Sequence, residues 1–460
     1  VKKIVVERKL TLIGAEVGGQ GGFFQGPGWY YLLAIPFVLT GGNPYGAMVL
    51  MFLIGIAVVF VSILVGVRLF GKKAGLLIGF LIALSPGIIA QSRFIWPPFP
   101  VSLLSVFLLF FLFKVLDGKK RFLPFAAATV GLFFHFEIAT GITLLAQLLI
   151  FLPFILIKRL VSFRILLLSV VAFAITLSPL LLFDIRHDFI ISKGVLHLAL
   201  GGGNVGHVVT QRFIEAMFLN HLSTFRYHFL SVFQLGGVLW PVLLFIFTFG
   251  GILYVRDKKH AFAKKAFVLY LLLSPIALFI VFMLYLWPMW EWWILELGIF
   301  YCFLLGILLI FLWEKKPVLR PLTVGLLLLF TFQFGRQTIH FYKIDLFDYG
   351  GTAKIRGKID AIDYIYQDAK GEKFGLLIFS PPVYTYPYDY LLWWHGEKKY
   401  KYLPHKEKKG IVYLLIEPDP HKPWTYQGWL ETVVKEGEVL ETNELPSGFI
   451  IQKRLMGKKT

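Results

Sequence analysis

The sequence predicts a polytopic α-helical membrane protein with a small C-terminal α/β soluble domain. Three observations carry that reading. Hydrophobic residues make up 57% of the chain and charged residues only 16%, with a mean hydropathy of +0.72, outside the range of soluble globular domains. Apolar runs of membrane-crossing length recur, since a hydrocarbon core about 30 Å thick needs roughly 20 apolar residues as a helix. The lysines and arginines fall on alternate connections between those runs.

Hydropathy places spans near 45–70, 74–90, 98–116, 121–134, 138–157, 163–183, 237–255, 266–286, 295–313 and 318–336. The apolar piece 29–40 is too short to cross and contains Pro36, so it reads as an interfacial or re-entrant helix. Charge tests the order independently. Lys72, Lys73, Lys119, Lys120, Arg121, Lys158, Arg159 and Arg164 lie on one side, as do Arg256, Lys258, Lys259, Lys264, Lys265, Lys315, Lys316 and Arg320. The opposite short connections, 92–97, 135–137 and 287–294, hold a single cation, Arg93. Cytoplasmic loops carry the cationic excess, so both chain ends are expected outside. The chain then belongs in the plasma (inner) membrane as a multi-pass protein with its C-terminal domain extracytoplasmic. The net charge of +19 is explained by topology, and the expected partner is the bilayer rather than nucleic acid.

The domain reading follows. Residues 1–44 form an outer loop with the interfacial helix. Residues 45–336 form a transmembrane domain of about ten helices, with an outer loop 184–236 that includes Gly201-Gly202-Gly203-Asn204. Residues 337–460 form the α/β domain, with strands expected at 374–380, 411–416 and 448–452 and helices at 353–367 and 425–436. The chain begins at Val1, and Lys2, Lys3, Arg8 and Lys9 would have to cross the membrane unaided. An upstream signal-anchor helix is therefore expected, bringing the count to eleven. The single Cys302, inside an apolar run, excludes an internal disulfide and reads as a packed core residue.

Ionisable residues at the edges of spans are costly and so mark candidate chemistry. Four outer-face groups stand out. Gly21–Tyr31 contains Gln25, Tyr30 and Tyr31, which offer an amide, two hydroxyls and stacking faces; an interfacial turn with an aromatic anchor is the plainer reading. Ser92-Arg93-Phe94 carries the lone outer cation, suited to bidentate phosphate binding or to snorkelling at the interface. Asp184-Ile185-Arg186-His187-Asp188 could bind phosphate and exchange protons, or simply be a solvated helix exit. His135-Phe136-Glu137 sits in a tight hairpin, where both side chains could instead cap helix ends. Tyr384, Tyr386, Tyr388, Tyr390, Trp393 and Trp394 in the tail could stack on sugar rings, although core and interface packing is the commoner use of such residues.

Two stretches carry a family likeness. One runs Phe24-Gln25-Gly26-Pro27, Trp29-Tyr30-Tyr31-Leu32-Leu33, Gly42-Asn43-Pro44, Leu69-Phe70-Gly71-Lys72-Lys73-Ala74-Gly75-Leu76, Ala83-Leu84-Ser85-Pro86 and Ser92-Arg93-Phe94. The other is Leu180–Asp188 with the soluble tail. Together they resemble a bacterial branch of the GT-C glycosyltransferases of the family 39 type, the dolichyl-phosphate-mannose–protein mannosyltransferase-like enzymes. The resemblance implies transfer of a sugar from a polyprenyl-phosphate carrier to an acceptor hydroxyl on glycan, lipid or protein, outside the cytoplasm and with inversion. It implies an acidic general base in the first outer loop. It also suggests Arg93, Arg186 and His187 at the donor phosphate, and Gln25, Tyr30, Tyr31, His135, Glu137 and Asp184 around sugar and acceptor. The chain departs from the pattern at Gln25, where relatives often have histidine. The motif aspartate would lie upstream of Val1, which leaves Glu16 as the nearest acid. No protein-bound cofactor is expected, and the use of a divalent ion is left open. The competing classes are a lipid-linked glycan transporter or flippase, for which inverted repeats are lacking, and a non-catalytic envelope assembly protein.

Overall fold

The structure is a computed structural model that describes residues 1–17, 23–157, 161–199, 211–233, 240–284, 288–315, 317–347, 354–381, 384–419, 422 and 424–457. It divides into two compact units, Val1–Gln337 and Thr338–Thr460. The Gly201–Asn204 stretch lies outside the described residues.

The first unit is helical because hydrocarbon offers no partner to a backbone N–H or C=O, and a helix satisfies both internally. Helix Pro44–Phe70 shows the local rules. The Asn43 side chain accepts the Tyr45 N–H at 3.0 Å, Pro44 occupies the first helical position, and Gly71 at φ +96° ends the helix. Helix Lys72–Leu84 returns along it on small residues. A Cβ on Gly75 would stand 2.3 Å from the Val67 nitrogen, and one on Gly66 would stand 2.7 Å from the Gly75 Cα. Small residues at such a crossing let backbones approach where lipid supplies no hydrophobic drive. Helix Glu296–Lys315 runs through the centre. Every residue from Glu296 to Leu309 is buried, as expected for a helix that is apolar all round, and Cys302 packs inside it.

Among the described residues, four helices are long and apolar enough to cross a membrane unaided: Pro44–Phe70, Phe262–Met283, Glu296–Lys315 and Pro317–Ile344. Two bent pairs also qualify if each counts as one span, Lys72–Leu84 with Pro86–Arg93 and Phe163–Thr176 with Ser178–Arg186. The ten-span expectation thus leans on shorter apolar helices such as Val101–Leu116 and Trp240–Arg256. The bends, 63° and 65°, correct the expectation of continuous spans at 74–90 and 163–183. Pro86 and Pro179 lack the N–H that a continuing helix needs.

Residues 184–236, read from sequence as an outer loop, contain helices Ile190–Ala199 and Gln211–Phe233. The latter buries Phe225, Phe229, Val232 and Phe233, a helical-face spacing, and sets Phe229 5.1 Å from the Tyr301 ring. Its Arg, Glu, Asn and His residues depress the hydropathy that would have revealed it.

One end of the unit gathers charge. Lys73 meets Glu314 at 3.3 Å, Lys315 meets Asp257 at 2.6 Å, and Lys264 lies over the Phe70 ring at 5.7 Å. The Lys315 ammonium holds the Asp257 carboxyl down to about 2.

The second unit is a four-stranded sheet in the order β1-β2-β4-β3, with β1 Gly375–Phe379, β2 Gly410–Ile416, β3 Glu438–Glu444 and β4 Ile450–Met456. β1 and β2 are parallel and the other pairs antiparallel. Alternation along β2 feeds two cores. Tyr413 and Leu415 face helix Ile355–Ala369 and Tyr388; Val412, Leu414 and Ile416 face Val434 and Trp429. β3 is an exposed, glutamate-rich edge strand, which the sequence reading does not find because its residues are poor strand formers.

A Gly75→Val substitution meets backbone at 2.3 Å and is expected to cost at least about 1–3 kcal/mol as overpacking. Gly325→Ala, with open space around it, is expected to be neutral. Thermal unfolding of the detergent-solubilised chain compares the two.

Candidate functional site

The candidate site is built on the hairpin between helices Leu123–Phe133 and Ile138–Ile157. An N-terminal strap covers it. Gly14 N–H donates to the Gln25 carbonyl at 2.7 Å, Gln25 N–H to Ala15 at 3.0 Å, and Val17 N–H to Phe23 at 2.8 Å. The Tyr31 hydroxyl donates to the Thr11 carbonyl at 2.8 Å. The strap then docks on the hairpin through Gly26 N–H and the Phe134 carbonyl, 2.8 Å apart.

His135 sits at the centre. Its Nδ1 accepts the Gly28 N–H at 3.1 Å, and its Nε2 lies 2.7 Å from the Thr176 carbonyl. One nitrogen accepts and the other donates, so the ring is the neutral Nε2–H tautomer, and burial pushes its pKa down. Both partners are orphan backbone groups, Gly28 starting helix Gly28–Leu39 and Thr176 ending helix Phe163–Thr176. Gly26 and Gly28 are needed here, because a Cβ on Gly26 would stand 2.3 Å from the His135 ring and one on Gly28 2.7 Å from the His135 Cβ.

Two residues on, Glu137 is buried. Its Oε1 accepts the Ala139 N–H at 3.2 Å, and burial pushes its carboxyl up to about 8. Within electrostatic reach lies Glu296, fully buried at the head of the central helix. Thr140 stands beside it, but that hydroxyl donates to the Trp293 carbonyl at 2.9 Å. Among the described residues, no hydrogen bond of normal geometry reaches either Glu296 oxygen. Glu296 is a further candidate, and its signal in the sequence is a lone carboxylate at the head of an otherwise apolar run. Glu291, half-buried in the preceding turn, has its carboxyl pushed up by burial.

The strap and two further segments, at the end of helix Pro86–Arg93 and around helix Ser178–Arg186, carry the remaining candidates. Arg93 is exposed at the end of helix Pro86–Arg93. The segment after it packs on the loop of Glu291, with Trp96 5.0 Å from Trp292 and Trp292 stacked on Trp290 at 4.8 Å. On the strap side, Phe24 meets Phe183 at 5.7 Å, and Phe183 stacks on His187 at 3.9 Å. His187 Nδ1 lies 2.8 Å from the Phe183 carbonyl, and both His187 and Arg186 are exposed. Asp184 is buried, and its carboxylate accepts the Ile191 N–H at 2.7 Å and the Ser192 hydroxyl at 2.5 Å. It caps helix Ile190–Ala199, a structural task that occupies the oxygens acid/base work would need. Tyr30 is half-buried, and Glu16 is exposed, bridged to Phe24. Among the described residues no group of three or more His, Cys, Asp or Glu side chains has a metal-holding arrangement.

No protein-family model matches the sequence, and no curated protein matches it. The fold is similar to the crystal structure of ArnT from Cupriavidus metallidurans bound to undecaprenyl phosphate, with a TM-score of 0.54 at 14% identity over 93% of this chain and 87% of that one. The apo state of the same protein aligns with a TM-score of 0.40 at 13% identity. At 14% identity the likeness to the lipid-bound structure shows a shared fold, a multi-span helical unit with a small C-terminal mixed sheet.

The Glu137 carboxyl gives a pH prediction. In the folded chain it keeps its proton up to about pH 8, whereas its ordinary value is 4.5. Its contribution to stability is full below about pH 4.5 and is lost as pH rises through about 8. The melting temperature of the native chain is expected to fall across that window, and Glu137→Gln is expected to flatten the fall.

Proposed function

We propose that this chain is a polyprenyl-phosphate-dependent glycosyltransferase that moves a sugar to an acceptor hydroxyl on the non-cytoplasmic face of a membrane. The observation that carries the reading is the fold likeness over nearly the whole chain to a protein solved with undecaprenyl phosphate bound. The cationic end marked by Lys73, Lys264 and Lys315 supports the sidedness, because cations collect on the cytoplasmic side.

In this reading Arg93 and Arg186 neutralise the donor phosphate, whose charge grows as the glycosidic bond breaks. His187, exposed and next to Arg186 in the chain, joins them. Gln25, Tyr30 and Tyr31 line the sugar side, and His135 positions that wall rather than reacting, since both its nitrogens are engaged. Inverting transfer needs a carboxylate to take the acceptor proton. Glu16 is the exposed candidate. Glu137 serves better as a neutral hydrogen-bond donor at neutral pH, given its raised pKa. The sugar is a hexose or pentose, and the acceptor is glycan, lipid or protein.

Arg93→Lys tests the assignment. It keeps the charge and loses the planar fork, so transfer from a labelled polyprenyl-phosphate sugar is expected to drop at least about tenfold, equivalent to about 1.4 kcal/mol, with unchanged melting. Native activity in that variant would reduce Arg93 to an interfacial anchor.

A further inference from the structure

The second unit contains a buried polar knot that the transfer reading does not use. Glu417 follows β2, and its Oε2 accepts from Lys358 Nζ at 2.8 Å, from the Tyr388 hydroxyl at 2.6 Å and from Ser380 Oγ at 3.3 Å. All four side chains are buried, and Lys358 also lies over the Tyr388 and Phe449 rings. A buried ion pair is weak evidence of stability by itself, since desolvation offsets most of its Coulomb gain. Its position is informative. Ser380 and Glu417 directly follow the parallel strands β1 and β2, and the carboxyl ends of parallel strands are where open α/β sheets hold ligands. All three bonds fall on one oxygen, and Oε1 takes none of them.

Ser380 and Tyr388 bracket a short connection, and both ends of it are pinned on Glu417. Between them stand Tyr384 and Tyr386, 62% and 70% exposed, with their rings stacked at 5.5 Å and 11°. Two large aromatic faces held parallel in water cost hydration unless something covers them. Their surroundings are polar: the Thr385 hydroxyl donates to Asp389 at 3.3 Å, and Lys406 meets Asp389 at 3.6 Å. Flat aromatic faces beside fixed acceptors and an ammonium suit a sugar, whose ring C–H faces stack while its hydroxyls bond at the edge. A peptide or lipid occupant would call for an apolar rim instead.

We infer that the second unit binds carbohydrate near the carboxyl ends of β1 and β2, with Tyr384 and Tyr386 as the stacking platform and Asp389 and Lys406 as the hydroxyl partners. The site goes beyond the transfer reading, and its binding is measured without turnover, so the two can fail separately.

The test uses the full chain in nanodiscs free of glycolipid and of alkyl-glycoside detergent, titrated with neutral hexasaccharides of glucose, mannose and galactose and followed by saturation-transfer NMR. At least one hexasaccharide is expected to bind. The double variant Tyr384→Ala, Tyr386→Ala should weaken it by about tenfold or more, while Tyr384→Phe, Tyr386→Phe keeps most of the affinity. Binding by none of the three sugars, or equal binding by the alanine variant, would overturn the inference. So would quenching of a dye on Tyr384→Cys by spin-labelled lipid, which would assign the pair to the membrane surface.

Discussion

The first unit depends on one constraint: hydrocarbon leaves no backbone hydrogen-bonding group unpaired at tolerable cost. Where a helix breaks, the freed groups must find partners inside the protein. Both bent pairs obey this. At the first, the Ser85 side chain accepts the Ile88 N–H at 3.4 Å and donates to the Val232 carbonyl at 2.6 Å. At the second, His135 takes the Thr176 carbonyl while accepting the Gly28 N–H. A serine and a histidine thus each bind two helix ends, and in doing so draw separate segments into one place.

That requirement concentrates the polar side chains. The hairpin that supplies His135 also supplies Glu137 and Thr140, and Thr140 ties it to the Trp293 turn ahead of Glu296. Strap, hairpin and central helix therefore meet around the buried Glu137 and Glu296, whereas Arg93, Arg186 and His187 are exposed. The glycines 26 and 28 belong to the same logic, since the strap reaches His135 only if neither carries a Cβ.

Sequence patterns disclose much of this architecture for identifiable reasons. Runs such as 45–70 and 295–313 are helices near those bounds, because twenty apolar residues have few other fates. In the second unit the strands at 375–379 and 410–416 follow from short β-branched and leucine-rich runs bounded by turn residues. Helix Gln211–Phe233 stays hidden because its buried face is only one stripe of a mixed sequence, and hydropathy averages over all faces. The bends need tertiary partners that periodicity does not encode, although Ser85-Pro86 and Ser178-Pro179 mark both places. For the site, His135 and Glu137 are visible as costly residues in a tight turn. That both could cap helix ends is legible too, but not which ends His135 caps, since Gly28 and Thr176 are remote in sequence. Asp184 shows the reverse: it is conspicuous among charges, yet committed to the helix that follows it.

The central claim is that the polar cluster serves sugar transfer from a polyprenyl phosphate. The most direct measurement reconstitutes the purified chain in liposomes with a polyprenyl-phosphate sugar labelled in the sugar, together with a membrane extract as acceptor source. The account predicts that label leaves the lipid carrier and appears covalently on acceptor material, with free polyprenyl phosphate formed in equal amount. Label that stays on its carrier, whether unmoved or only carried across the bilayer, would contradict it.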